Sequence, residues 1–271
     1  MNEKTLLALF GLKFNPFLPD IPVDALWSPP GIDGYAFRLE NLAAHGGFAL
    51  IAGEPGLGKS KILQLFAHRL GRVDDVVVGV MERPQSSLND FYREMGNLFD
   101  VNLSPANRYG GFKALRERWV HHIKSTLFRP VLLIDEAQEM NAGCMNEIRI
   151  MMSANFDSTS LLTTVLCGDN RLPERFRSDA LVSLGSRMRI RMSLQPYKPK
   201  DLLNYLEHVL EQSGAPHLMT KGLKHTIIEY ACGNIRLLNN ISSELLTEGA
   251  RRELKQLDEK LYLELFSAPR Q

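Results

Sequence analysis

The residues best equipped for chemistry are Gly53-Glu54-Pro55-Gly56-Leu57-Gly58-Lys59-Ser60, which satisfy G-x-x-x-x-G-K-[ST]. Glycines at this spacing let successive backbone N–H groups close around phosphate oxygens, and a helix starting at the lysine adds the positive end of its dipole. In that arrangement Gly53, Pro55, Gly56, Leu57, Gly58, Lys59 and Ser60 cradle the phosphates. The Lys59 ammonium neutralises the outer ones, and the Ser60 hydroxyl reaches Mg²⁺. Downstream, Val131-Leu132-Leu133-Ile134-Asp135-Glu136 is an apolar run closed by two carboxylates. Asp135 can hold the magnesium shell, and Glu136 can polarise a water for attack on a γ-phosphate. Small-molecule kinases use the same phosphate loop, but the adjacent Asp-Glu pair favours water as the acceptor. ATP and Mg²⁺ are therefore the expected ligands, and ATP hydrolysis the expected reaction.

These residues need a scaffold that brings both runs to one edge. Apolar runs at 48–52, 76–80, 131–135 and 161–167, with the alternating segment 188–194, read as strands. Helical patterns at 59–70, 86–99, 111–126 and 140–152 fall between them, with Pro105 and Gly110-Gly111 breaking the middle pair. Strands alternating with helices describe an α/β fold, a parallel sheet covered on both faces, and ligands bind outside the carboxyl ends of such strands. Beyond Pro199 only helical patterns remain, at 201–212, 220–232, 235–249 and 254–266, which predicts a small helical domain. Five of the fourteen prolines lie in the first thirty residues, so that stretch is expected to be extended and rich in turns rather than helical. The expected organisation is a lead-in over 1–47, a nucleotide-binding core over 48–197 and a helical lid over 198–271.

Composition excludes other classes. With 271 residues, 44% of them hydrophobic, the chain can bury a large core, which excludes disorder and disulfide-stapled miniproteins. Lys plus Arg number 32 against 31 for Asp plus Glu, so attraction to nucleic acid or membrane must be local rather than global. Cys144, Cys167 and Cys232 form no C-x-x-C pair and read as thiols in a reducing compartment. No apolar run approaches the ~20 residues that span a bilayer, and no small-residue cleavage site follows the first apolar stretch. A cytoplasmic protein with no membrane partner is expected.

The order of these motifs, with a glutamate after the strand-terminal aspartate, an extra strand between the two motifs and a helical tail, resembles the AAA+ P-loop NTPases. The finer resemblance is to their ExeA-like branch. It rests on Phe10-Gly11-Leu12 with Asn15-Pro16-Phe17, on Asp135-Glu136-Ala137-Gln138, and on Gly233-Asn234-Ile235-Arg236-Leu237-Leu238-Asn239-Asn240. The resemblance implies a parallel sheet flanked by helices and followed by a helical lid. It further implies a polar sensor of the γ-phosphate after the fourth strand, where Asp169 and Asn170 are candidates; the uncharged amide of Asn170 is preferred because it does not repel phosphate. Gly168-Asp169-Asn170 departs from the Gly-Gln-Pro often found there. Arg236 matches the lid arginine that reaches nucleotide, although Ile235 replaces the frequent proline, and Phe17 belongs to the segment that passes the adenine. Arg187, or alternatively Arg177, resembles the arginine finger that completes a neighbouring subunit's site, which implies a ring or helical homo-oligomer.

Two branches share this core. ExeA-type secretion-assembly ATPases carry a membrane anchor and a cell-wall-binding domain, neither of which occurs within these 271 residues. The compact TniB/TnsC-like transposition helpers assemble on double-stranded DNA and recruit or regulate a transposase, and this is the expected role. A nucleotide-gated protein-interaction switch without DNA binding is the further alternative. Six arginines (Arg171, Arg175, Arg177, Arg187, Arg189, Arg191) face only Glu174 and Asp179 between 171 and 191, the largest local excess of positive charge and a candidate DNA or subunit surface.

Overall fold

Strand β1 (Gly47–Gly53) is buried at every position, as a strand covered on both faces must be. In the computed structural model, which describes residues 3–82, 84, 87–102 and 107–266, it lies inside a five-stranded sheet. Before it come α1 (Glu3–Phe10) and α2 (Ile32–His45), and after it α3 (Lys59–Leu70), β2 (Val78–Met81), α4 (Leu88–Leu98) and α5 (Arg108–Thr126). The chain continues through β3 (Val131–Ile134), α6 (Ala142–Met152), a two-stranded hairpin of β4 (Ser153–Ala154) and β5 (Thr159–Ser160), and β6 (Thr163–Gly168). Two short helices, α7 (Arg171–Arg175) and α8 (Val182–Gly185), precede β7 (Met188–Leu194). Four helices follow: α9 (Pro199–Gln212), α10 (Lys221–Ala231), α11 (Ile235–Arg251) and α12 (Glu259–Phe266).

The sheet is parallel throughout, in the order β2-β3-β6-β1-β7. This order seats β6 between β3 and β1, so the carboxyl ends of the three strands are neighbours. Ile134 pairs with Leu166, and Ile51 with Cys167. One face is filled by Phe91, Met95, Phe99, Trp119, Met145 and Ile148. On α2 and α3, Tyr35 stacks on Phe66 at 5.3 Å, and the Tyr35 hydroxyl donates to the Leu50 carbonyl on β1. Burying each such aromatic side chain contributes about 2–3 kcal/mol.

Two compact units result. One comprises 31–55 and 59–194; the other comprises the N-terminal segment to Pro30, Gly56–Gly58 and 195–271. The parallel sheet and its flanking helices match expectation. The start of the chain does not. Glu3–Phe10 is helical, because every proline of the lead-in lies at Pro16 or later and leaves that first segment free to form backbone hydrogen bonds. Residues 32–45, assigned above to the lead-in, form a helix that begins just after Pro29-Pro30 and packs with the sheet through Ile32, Tyr35, Ala36 and Leu39. The helix expected over 254–266 begins only at Glu259: α11 ends at Arg251, Glu253 turns left-handed, and Asp258 caps the new start by accepting from the Leu261 N–H. Ser86 and Pro105, used above to bound helices, lie outside the described residues.

The helical unit has its own core of Leu202, Leu206, Ile227, Leu238, Leu245 and Leu257, joined by Leu6 of α1. Helices α10 and α11 start on residues that satisfy orphan amides: the Thr220 hydroxyl accepts from Leu223 N–H and the Asn234 amide oxygen from Leu237 N–H. Trp27 meets Tyr197 and Tyr205 edge to face at 5.4 and 5.5 Å. Among the described residues no helix is long and apolar enough to cross a membrane.

Candidate nucleotide site

In the sheet unit, Lys59 opens α3 and is only 8% exposed; its ammonium donates to the carbonyls of Gly53 and Glu54 at 2.9 Å each. The lysine thus sits inside the curl of its own loop. Ser60, next along α3, is exposed. Asp135 leaves the end of β3 and accepts a hydrogen bond from the Glu136 N–H at 2.9 Å, while its own N–H donates to Met81 on β2. Glu136 is exposed and held in the left-handed region (φ 48°, ψ 37°), a conformation that costs a non-glycine residue about 1 kcal/mol and concentrates at functional positions.

One buried thiol reports how these groups converge. Cys167 of β6 is pushed well above the usual thiol range, first by burial and then by the Asp135 carboxylate, while Lys59 opposes the shift and Glu136 adds to it. Asp169, just beyond β6, also feels Lys59, although its carboxyl is held below the ordinary range chiefly by Arg171. Ala52 pairs with Gly168 and Ile134 with Leu166, so Asp135, Glu136 and the 168–170 loop leave neighbouring strand ends, beside the loop that carries Lys59. A phosphate-binding lysine, a strand-end aspartate and a neighbouring general base at that edge are the parts needed to bind and hydrolyse a nucleoside triphosphate.

The helical unit carries the tip of the phosphate loop. Gly56 and Gly58 have φ of +88° and +83°, which only glycine adopts freely. A Cβ at Gly56 would stand 2.3 Å from the Asn234 amide oxygen. The Arg236 N–H donates to the Gly56 carbonyl at 3.1 Å, and the Tyr197 hydroxyl to that of Leu57 at 3.1 Å. The start of α11 is thus fastened to the loop tip through backbone groups.

Residues 42–176, which span β1, the phosphate loop, β3 and β6, match the family model described as AAA domain. The chain carries an AAA domain. One curated relative is the general secretion pathway protein A of Aeromonas hydrophila, 27% identical over 243 residues; the match covers 88% of this chain and 43% of that protein. The chain thus spans less than half of that relative's length. Among solved structures, the Aeropyrum pernix ORC2 protein in ADPNP–ADP complexes superposes with a TM-score of 0.69 at 15% identity, over 93% of this chain and 70% of that one. The Aeropyrum pernix ORC1 protein in complex with DNA gives 0.65 at 18% identity, over 91% and 67%. At these identities the structural likeness establishes the fold.

In the sheet unit the remaining expected residues are placed as follows. Asp169 is committed to Arg171, whereas the exposed amide of Asn170 makes no hydrogen bond among the described residues. Arg187 donates to the Ser183 carbonyl and pairs with Asp157 of the β4–β5 hairpin. In the helical unit, Arg236 is exposed at the start of α11, and Phe17 is 4% exposed among the core side chains of that unit. Most of the arginine-rich segment is already engaged. Arg171 bonds Asp169 and Glu139; Arg175 bonds the Gln138 and Met140 carbonyls; Arg189 and Arg191 bond the carbonyls of Gly46 and Gly185. Only Arg177 of the six is exposed without such a partner among the described residues. Two functional candidates were not singled out in the sequence, Gln138 and Asp157. The first stands in the quoted Asp-Glu-Ala-Gln quartet; nothing in the sequence marks the second.

Proposed function

We propose that the chain is an ATP-hydrolysing, self-assembling ATPase whose ATP-bound oligomer binds double-stranded DNA and regulates or recruits a transposase or another recombination protein. The observation that carries the enzymatic part is the strand order that sets the end of β6 between those of β1 and β3, with Ala52 paired to Gly168 and Ile134 to Leu166, so that Asp135, Glu136 and the 168–170 loop leave neighbouring strand ends beside the loop that carries Lys59. Lys59 takes the outer phosphates in place of the loop carbonyls it now bonds. Glu136 accepts the proton of the attacking water, and Asn170 orients that water or the γ-phosphate. The Ser60 hydroxyl and Asp135 carboxylate are hard oxygen donors of the kind magnesium takes; bound there, the ion neutralises charge on the phosphates. Arg187 acts on a neighbouring copy.

The DNA role takes its support from a fold shared with an ORC1 protein solved in complex with DNA. Arg171, Arg175, Arg189 and Arg191 bond within the chain, which leaves Arg177 and Arg187 as the arginines of that segment with a role toward DNA or a neighbouring copy. A second reading, a secretion-assembly ATPase, is favoured by the similarity to the secretion pathway protein.

The test is binding of Glu136→Gln protein to labelled duplex DNA with ATP, with ADP and without nucleotide, across a salt series. Tight binding with ATP alone, and log affinity falling linearly with log salt, is expected. No binding in any state, with ATP uptake confirmed, transfers the assignment to the secretion or protein-switch reading.

A further inference from the structure

Gln138 uses both ends of its amide. Its Nε2 donates to the Glu136 carboxylate, and its Oε1 accepts from the Asp169 N–H at 3.1 Å. The side chain is 7% exposed, although Glu136 itself is open to solvent. We propose that Gln138 is a positioning residue that ties the Glu136 carboxylate to the loop after β6, so that the base and the sensor loop move as one. The proposal rests on the reading of Glu136 as the base for ATP hydrolysis.

Three further observations bear on it. Gly168 closes β6 beneath this amide, and a Cβ there would stand 2.4 Å from the Gln138 Oε1 and 3.3 Å from the Gln138 backbone nitrogen. The absent side chain is what lets the amide lie across the strand end. The backbone of the 3-10 turn over Ala137–Glu139 is fixed by other means: Arg175 donates to the Gln138 and Met140 carbonyls, and Ala137 and Met140 are fully buried. The Gln138 side chain is therefore not needed to hold the turn. Arg171 bridges Glu139 and Asp169 on the outside, so the turn and the sensor loop already form one body, to which the Gln138 amide adds the Glu136 carboxylate.

Chemistry restricts the residue type. A group that donates to one carboxylate and accepts from one amide must be both donor and acceptor, which an amide is and a carboxylate is not. An untethered glutamate gives up rotamer freedom each time it is fixed for reaction, and the tether removes that cost beforehand.

The experiment is steady-state ATP hydrolysis, fluorescent-nucleotide binding and thermal melting of Gln138→Leu, Gln138→Glu and Gly168→Ala beside wild type and Glu136→Gln. Gln138→Glu keeps the acceptor for Asp169 and loses the donor to Glu136, isolating the second bond. All three are expected to lower kcat by about 10-fold or more, with KM and nucleotide affinity within about twofold and melting shifted by less than about 4 °C. The double variant Gly168→Ala with Gln138→Leu is expected to be no slower than Gln138→Leu alone, because both remove one tether. Wild-type kcat in Gln138→Leu and Gln138→Glu, or a change in KM alone, overturns the proposal while Glu136→Gln remains inactive. Wild-type hydrolysis by Glu136→Gln instead overturns the underlying reading. If Gln138→Leu does not fold, the nearly isosteric Gln138→Glu decides.

Discussion

The Asp157 carboxylate, at the tip of the β4–β5 hairpin, pairs with the Arg187 guanidinium in the same chain, and this bond holds the Asp157 carboxyl below its ordinary range. Both side chains are partly open to water, so the pair orients rather than stabilises. It parks the expected finger beside a turn in which Asn155, Phe156 and Asp157 are all left-handed.

If the finger acts on a neighbouring copy, Arg187→Ala lowers turnover by about 10³-fold. Mixing it with Glu136→Gln then restores part of the activity, since each Glu136→Gln subunit lends an intact arginine to an intact site. Hydrolysis measured across mixing ratios checks this, and a flat, inactive series excludes action in trans.

Lys59 is the buried cation of the phosphate loop, with two carbonyl partners at 2.9 Å. Lys59→Ala is expected to weaken ATP binding by roughly 30- to 150-fold, the equivalent of about 2–3 kcal/mol for hydrogen bonds to a charged group. Calorimetric titration with ATP measures it; unchanged affinity removes Lys59 from the site.

Glu147 gives the sheet unit a pH dependence. Burial pushes its carboxyl up, but bonds from Arg108 and Tyr92 together outweigh burial and leave it below its ordinary range. A depressed carboxyl stabilises the fold fully above the ordinary range, and the benefit is lost as pH falls through the depressed value. Glu147→Gln should cost about 2 kcal/mol near pH 7, and the difference from wild type should shrink as pH falls below the ordinary carboxylate range. Melting temperatures across pH decide it.

The left-handed Gly56 predicts a separable defect. Gly56→Ala strains the loop by about 1–2 kcal/mol and displaces Asn234 from the tip, so nucleotide affinity should fall while the far-ultraviolet spectrum is unchanged. Unaltered ATP affinity in this variant refutes a role for the tip geometry.

The phosphate loop and the strand ending in Asp135-Glu136 were legible in the amino-acid sequence because their chemistry demands contiguous residues of fixed type. The central strands were legible for a related reason: burial on both faces requires unbroken apolar runs such as 47–53 and 131–134. Helix α2 was not, since Gly34 and its exposed Arg38 and Asn41 dilute the apolar period that Tyr35, Leu39 and Leu42 complete. Neither was the β4–β5 hairpin, whose two-residue strands are too short to show a period.

Sequence alone thus determined which groups can act on a nucleotide and the class of scaffold that carries them. Tertiary structure decided which strands are neighbours, and with that which loops meet. The order β2-β3-β6-β1-β7 sets Gly168 beside the turn after β3, brings Gln138 between Glu136 and Asp169, and lets Arg175 reach the carbonyls of that turn. These are contacts between segments some 30 residues apart or more, and no local pattern encodes them, because hydrogen bonds across a strand edge depend on register and not on spacing along the chain.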